Sequence, residues 1–142
     1  DTVTFASLTV PLSFNLNEGA WVISDGINTL LHSGYTIERI ISGSGNDTFI
    51  ISGSAKGHLF GGSGDDSFIF IESGSLEGSI DGGSGVNHID YREYKGGNVI
   101  VNLAENKVSS INSSFSFMDV FRFWGSPAVF WRNLSSRACK IG

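Results

Sequence analysis

The chain has 142 residues, 40% of them hydrophobic and 16% charged, so it has the size of one domain and can bury a core. Its net charge of −5 argues against nucleic-acid binding, which requires a basic face. The single Cys139 excludes an internal disulfide framework and cysteine-based zinc sites. No apolar run could span a bilayer, and the opening "DTVTF" has neither Met nor a signal peptide, so we expect no membrane insertion and a mature or excised piece.

Short β-strands are predicted along the whole chain. Segments rich in β-branched and aromatic residues are bounded by Gly, Ser or Asn, and they include "LSFNL", "TFIIS", "SFIFI" and "NVIVNL". No long stretch has the apolar stripe of a helix. We expect spacer strands over residues 1–41, a repeated region over 42–90, and a second spacer with a partial, aromatic-rich second module over 91–142.

The repeated region has a step of about nine residues. Its copies are "SGSGNDTFI" (42–50), "SGSAKGHLF" (52–60), "GGSGDDSFI" (61–69) and, after twelve other residues, "GGSGVNHID" (82–90). Each copy is a turn of small residues followed by a short strand with a large apolar residue in the eighth place. Such a strand cannot bury a face alone, so stacking on other copies is favoured, with an antiparallel sandwich of Gly-rich hairpins as the alternative.

A longer period relates residues 1–24 to residues 87–110, with one gap. It aligns Phe5 with Tyr91 and Asn15 with Asn102, and it relates residues 35–44 less closely to 115–126. The repeating module is therefore roughly 86 residues long, and the chain holds one copy and part of a second.

The glycine-rich region is also the acidic one, with seven Asp and Glu residues between Ser42 and Asp90 against one basic residue, Lys56. "GGSGDDSFI" fits every defined place of G-G-x-G-x-D-x-U-x, where U is a large apolar residue, and "SGSGNDTFI" departs only at Ser42. In these places the sequence resembles the calcium-binding nonapeptide of the RTX (hemolysin-type) family. The other two copies depart further, with Gly57 or Asn87 in the place of Asp.

The resemblance implies a right-handed parallel β-roll or β-solenoid in which alternate nonapeptides stack and hold Ca²⁺ between their turns. Loop 42–47 is then expected on loop 61–66, with Asp47 and Asp66 at one ion. Loop 52–57 is expected on loop 82–87, where the site would be weak or absent. Calcium takes carboxylate and backbone oxygens, and the predicted metal residues are Gly43, Gly45, Asn46, Asp47, Gly62, Gly64, Asp65, Asp66 and Asn87, with Asp81 and Asp90 as auxiliaries.

Other interpretations remain open at this point. The Asn-Asp and Asp-Asp pairs could simply cap turns. His32, His58 and His88 have no spacing typical of a metal cage, and no catalytic motif occurs, so we expect no enzyme activity, although a carboxylate pair cannot be judged from sequence. The aromatic segment 115–133 is either the core of the second module or an apolar patch for assembly.

The predicted function is structural. We expect a calcium-binding repeat segment of a bacterial extracellular protein, secreted or at the cell surface, that folds on binding calcium and pairs end to end in a fibre or stalk. The alternatives are an adhesin or other binding module, and the calcium-binding appendage of a secreted enzyme whose catalytic domain lies elsewhere.

Overall fold

The structure is a computed structural model, and it describes residues 1–34, 36–97, 99–102, 107–108, 115–116, 120–125, 129–132 and 139–141. Parts of the predicted second module, and of its aromatic segment 115–133, lie outside the described residues, at 103–106, 109–114, 117–119, 126–128 and 133–138. Strands account for all the regular structure within the described ranges, and no helix there could span a membrane. The predicted all-β class is confirmed.

The strands are short, as the turn residues between them predict. In chain order they are β1 (Thr2–Thr4), β2 (Ser13–Asn17), β3 (Ala20–Ser24), β4 (Thr29–Ser33), β5 (Arg39–Ile41), β6 (Thr48–Ile51), β7 (Ser54–Lys56), β8 (His58–Phe60), β9 (Ser67–Phe70), β10 (Ser75–Glu77), β11 (Ile80–Asp81), β12 (Val86–Tyr91), β13 (Val99–Asn102), β14 (Lys107–Val108), β15 (Phe115–Ser116), β16 (Val120–Gly125), β17 (Val129–Arg132) and β18 (Cys139–Ile141).

The sheets mix parallel and antiparallel pairs, so the predicted right-handed parallel β-roll or β-solenoid is wrong. The largest sheet has the order β18-β16-β12-β9-β6-β2-β3-β4, and its β2-β3 and β3-β4 pairs are antiparallel. β13 and β14 also pair antiparallel. The reason is local: β2 and β3 are joined by the tight turn Glu18–Gly19, where Gly19 has φ 65°, and both alternate buried with less buried residues.

Parallel pairing joins the strands of the repeated region. In one sheet β5, β8 and β11 are neighbours, and in another β6, β9 and β12 are neighbours. The apolar eighth residues meet in register there, since Phe49 lies opposite Phe68 and Phe68 opposite Ile89. Phe14 of β2 extends the same row, and its ring stacks on Phe49 with 4.3 Å between centroids. This row of fully buried side chains is the centre of the core.

The prediction that loop 52–57 stacks on loop 82–87 is wrong. β7 pairs with β10, and the turn at 82–87 stacks instead on the turn at 61–66, through a bridge between Ser63 and Ser84. The twelve residues between the nonapeptides explain the difference, because they supply β10 and β11, which take the places beside β7 and β8. Lys56 therefore faces Glu77, with 2.7 Å between Nζ and Oε2.

Candidate metal site at the stacked glycine turns

Three glycine turns stack on one side of the molecule, at residues 42–47, 61–66 and 82–87, and backbone hydrogen bonds join them. Ser63 N–H donates to Gly43 O at 3.1 Å, and Ser84 N–H donates to Gly62 O at 2.9 Å. Gly64 N–H donates to Ser84 O at 3.1 Å. The carbonyl groups of Gly43 and Gly62, which we predicted as metal ligands, therefore already accept hydrogen bonds from the next turn.

Two glycines of the second turn need positive φ values, and those of the first turn do not. Gly62 and Gly64 have φ values of 93° and 112°, a region that residues with a side chain seldom adopt. Neither Gly43 nor Gly45 has a positive φ. A Cβ on Gly43 would collide with Leu8 O, and one on Gly45 would lie 2.6 Å from Val10 O. In the turn at 42–47 glycine thus permits close packing against residues 8–11.

The sixth places of the three turns, Asp47, Asp66 and Asn87, form a ladder that we call the inner Asx ladder. Leu12 N–H donates to Asp47 Oδ1 at 2.7 Å. Asp47 N–H donates to Asp66 Oδ1 at 2.9 Å, and Asp66 N–H donates to Asn87 Oδ1 at 2.9 Å. All three side chains are fully buried. Each one satisfies the backbone amide of the preceding level, so the ladder ties four levels of chain together.

The fifth places form a second ladder, which we call the outer ladder, and its polarity is reversed. Asp65 N–H donates to Asn46 Oδ1 at 2.9 Å, and Val86 N–H donates to Asp65 Oδ1 at 2.7 Å. Here each side chain satisfies the amide of the following level. The structure thus brings Asn46 and Asp65 beside the inner Asx ladder, as predicted, but Asn46 Oδ1 and Asp65 Oδ1 accept hydrogen bonds there.

The carboxylate of Asp47 is held by protein donors at both of its oxygens. Oδ1 accepts from Leu12, and Oδ2 accepts from the Ser42 hydroxyl and from Gly43 N–H at 3.3 Å. Sequence reasoning missed the donors from Leu12 and Ser42. Ser42 is the one departure of its nonapeptide from the repeat pattern, and a hydroxyl five residues before a buried Asp was the available signal.

The carboxylate of Asp66 has a different environment. Its Oδ2 is buried and has no hydrogen-bond partner among the described residues. Gly61 stands in the place of Ser42 and brings no hydroxyl; a Cβ there would collide with this oxygen and lie 2.7 Å from Gly82 O. Burial raises the pKa of Asp66 to about 7, and the charges of Asp47 and Asp65 act in the same direction, while the hydrogen bond from the Asp47 amide opposes them.

The predicted auxiliaries are engaged elsewhere. Asp90 binds Arg92 through both carboxylate oxygens, with 2.6 Å between Oδ2 and Nη2. Asp81 accepts from Gly83 N–H at 3.1 Å. His58 and His88 contact Ser79 and Ser67 through ring nitrogens, at 2.7 and 2.8 Å. Among the described residues, neither Asp81 nor Asp90 forms a group with Asp66 that could hold a metal ion.

Calcium takes six to eight oxygen ligands, and the described residues contain no group of three or more His, Cys, Asp or Glu side chains that could hold a metal ion. Asp47 and Asp66 are adjacent, as predicted, but the oxygens of Asp47 face protein donors. The residues present fit a hard cation in two respects: one buried carboxylate oxygen is open, and two further negative charges lie around it.

Comparison with models of known protein families gives no match to this chain, and comparison with curated proteins gives none either.

Proposed function

We propose that the chain is a structural segment of an extracellular protein and that calcium bound beside Asp66 stabilises its fold. The observation that carries the proposal is the buried Asp66 Oδ2, which accepts no hydrogen bond within the described residues. An ionised carboxylate in that position has lost water and gained no donor, so a hard cation is the chemical partner that it lacks. The resemblance to the RTX nonapeptide favours calcium as that cation.

The charge around Asp66 supports the same proposal. Asp47 and Asp65 are close enough to raise the pKa of the Asp66 carboxyl, so each disfavours its ionised form. A divalent cation beside Asp66 would offset the repulsion between its ionised carboxylate and those of Asp47 and Asp65. Binding to the folded state alone would stabilise it by about 2.7 kcal/mol at a free calcium concentration 100 times the dissociation constant. Calcium sites of extracellular modules bind at roughly 10⁻⁴ to 10⁻³ M, which suits a segment that is stable only outside the cell.

The experiment is thermal unfolding followed by far-UV circular dichroism, in chelator and in a series of calcium concentrations. We expect the midpoint temperature of the unaltered chain to rise with calcium and to rise less with magnesium. The matched control is Asp66→Asn, which keeps the Oδ1 acceptor for Asp47 N–H, removes the charge and copies the residue that Asn87 provides in the next turn. This variant should be insensitive to calcium.

Two outcomes would contradict the proposal. One is an unaltered chain that unfolds at the same temperature in chelator and in millimolar calcium. The other is an Asp66→Asn variant that gains as much from calcium as the unaltered chain, because the cation would then bind elsewhere. The fibre or stalk role depends in addition on the pairing of one repeat with the next.

A further inference from the structure

The outer edge of β1 is an exposed sheet edge with partly apolar side chains beside it. β1 is the end strand of the order β1-β5-β8-β11-β15, and it pairs with β5 on its inner side. No described strand pairs with its outer side. Val3 in β1 and Phe5, which directly follows β1, are packed against the core but only partly buried.

β12 holds the place in the longer sequence period that β1 holds at its start. The period aligns Phe5 with Tyr91 and therefore Thr2 with His88. Thr2 pairs with Arg39, and His88 pairs with Arg122 in the same parallel sense. The turns that follow are also alike: Leu8 N–H donates to Phe5 O at 2.8 Å, and Tyr94 N–H donates to Tyr91 O at 3.2 Å.

The two strands differ in what lies on their other side. β12 pairs with β9 through Ile89 opposite Phe68, and the ring of Tyr91 stacks on Phe70 with 4.9 Å between centroids. Under this cover Ile89 is 0% exposed and Tyr91 is 1% exposed. Val3 in β1 and Phe5 just after it hold the corresponding places without that cover.

We infer that the outer edge of β1 accepts a strand from a preceding copy of the same roughly 86-residue repeat, and that this strand has the pattern of β9, Ser67–Phe70. The chain itself shows the geometry of the contact at the β9-β12 pair. The expected register puts Thr2 opposite Ser67 of the preceding copy, Val3 opposite its Phe68 and Thr4 opposite its Ile69. Phe5 would then stack on the preceding copy's Phe70. The inference does not depend on calcium.

Backbone donors support this register. In the β9-β12 pair, His88 N–H donates to Asp66 O at 2.9 Å, and Thr2 N–H holds the same place in β1. Phe5 N–H already donates to Ile41 O at 2.8 Å. Because amides alternate in direction along a strand, the amides of Thr2 and Thr4 point to the outer edge. These two amides are the donors that a preceding strand would use.

The test is a tandem protein in which residues 1–86 are joined directly to Asp1 of the full chain. This joint keeps the period, because Asn87, which follows residue 86, holds the place of Asp1. We expect hydrogen exchange at Thr2 and Thr4 of the second copy to slow at least about tenfold. Exchange at Phe5, whose amide is already bonded, should change less and serves as the internal reference.

The control protein carries a Gly/Ser segment of equal length before Asp1. Both proteins lose the exposed ion pair between the Asp1 ammonium and Glu38, so that loss cancels. As a second readout, Phe5→Ala in the full chain that follows the joint should lower the folding equilibrium constant roughly tenfold more in the tandem protein than in the Gly/Ser control, because the ring would then be fully buried.

Three outcomes would each overturn the inference: equal exchange rates in the two proteins, equal effects of Phe5→Ala, or a tandem protein with less β-structure per residue than the single chain. Running the test in chelator and in calcium separates it from the proposal on Asp66.

Discussion

The turns at residues 42–47 and 61–66 stack on each other in register, yet their buried carboxylates have different surroundings. Asp47 accepts hydrogen bonds at both oxygens, and Ser42 supplies one of them. Asp66 has Gly61 in the place of that serine, and its Oδ2 has no partner within the described part of the chain. Two donors to Oδ2, the Ser42 hydroxyl and Gly43 N–H, therefore separate a carboxylate that is complete within the protein from one that is not.

The comparison shows that the Asp in the sixth place of the nonapeptide can serve two purposes. A buried Asp that is fully hydrogen-bonded is a structural residue, and its removal leaves donors without acceptors. A buried Asp with an open oxygen costs stability when it is ionised and uncompensated, so it is sensitive to cations and protons. Measurements in chelator test this division on the protein contacts alone.

The largest expected effect is that of Asp47→Ala. This substitution leaves three buried or partly buried donors, from Leu12, Ser42 and Gly43, without their acceptor. At about 1 to 3 kcal/mol for each unsatisfied buried group, we expect a loss of roughly 4 kcal/mol in the free energy of unfolding. Urea unfolding in chelator measures it.

Asp66→Ala is the matched comparison. It removes the acceptor of Asp47 N–H but also removes an uncompensated buried carboxylate, so we expect a loss of about 1 kcal/mol or less. Equal losses for the two alanine variants would show that the two carboxylates are equivalent, against the division drawn here.

The stacking of the first and third nonapeptide turns could be predicted from sequence, because the apolar residue in the eighth place recurs with the turn. Phe49 and Phe68 do lie opposite each other. The place of the turn at 82–87 could not be predicted in the same way. It depends on whether the intervening residues form strands of their own, and they do so as β10 and β11. The sequence of the nonapeptides does not show whether the residues between them form strands.

The antiparallel part of the fold was missed for a different reason. "SFNLN" and "AWVIS" read as strands whichever way they pair, and the resemblance favoured parallel pairing. The tight turn at Gly19 decides in favour of a hairpin, and β4 follows in the same antiparallel sense. For the candidate site, the residue types were predictable, but the use of their oxygens was not. The hydrogen bond from Leu12 to Asp47 joins residues 35 positions apart, and only the folded chain brings them together.

The second effect, in order of size, is a pH dependence that Asp66 should confer. Its pKa is raised from 3.8 to about 7 in the folded state, chiefly by burial, so between these values the folded state binds more protons than the unfolded state. The stabilisation from the protonated form is then complete below about pH 4 and is lost as pH rises through about 7. In chelator we expect the chain to lose about 2 kcal/mol between pH 5 and 6.5.

The Asp66→Asn variant isolates this contribution, since all other titrating groups are common to both proteins. The expected quantity is the difference between the two free energies of unfolding, which should shrink as pH is lowered toward 4. Calcium should flatten the dependence, because it competes with the proton for the same carboxylate. A difference that stays constant from pH 5 to 7 would mean that Asp66 is ionised throughout, as a well-solvated carboxylate is.

A similarly small effect is expected of Ser42→Ala, which brings the surroundings of Asp47 closer to those of Asp66. The substitution removes the hydroxyl donor to Asp47 Oδ2 and leaves only the longer bond from Gly43 N–H, at 3.3 Å. We expect a loss of about 1 kcal/mol in chelator.

Ser44→Ala on the same turn is the control, because the Ser44 hydroxyl is exposed and the substitution removes only its 3.5 Å contact with Leu8 O. If an open carboxylate oxygen is what makes a turn respond to calcium, calcium should restore part of the loss in Ser42→Ala and none in Ser44→Ala. Identical behaviour of the two serine variants would remove the hydroxyl as the cause of the difference between the turns.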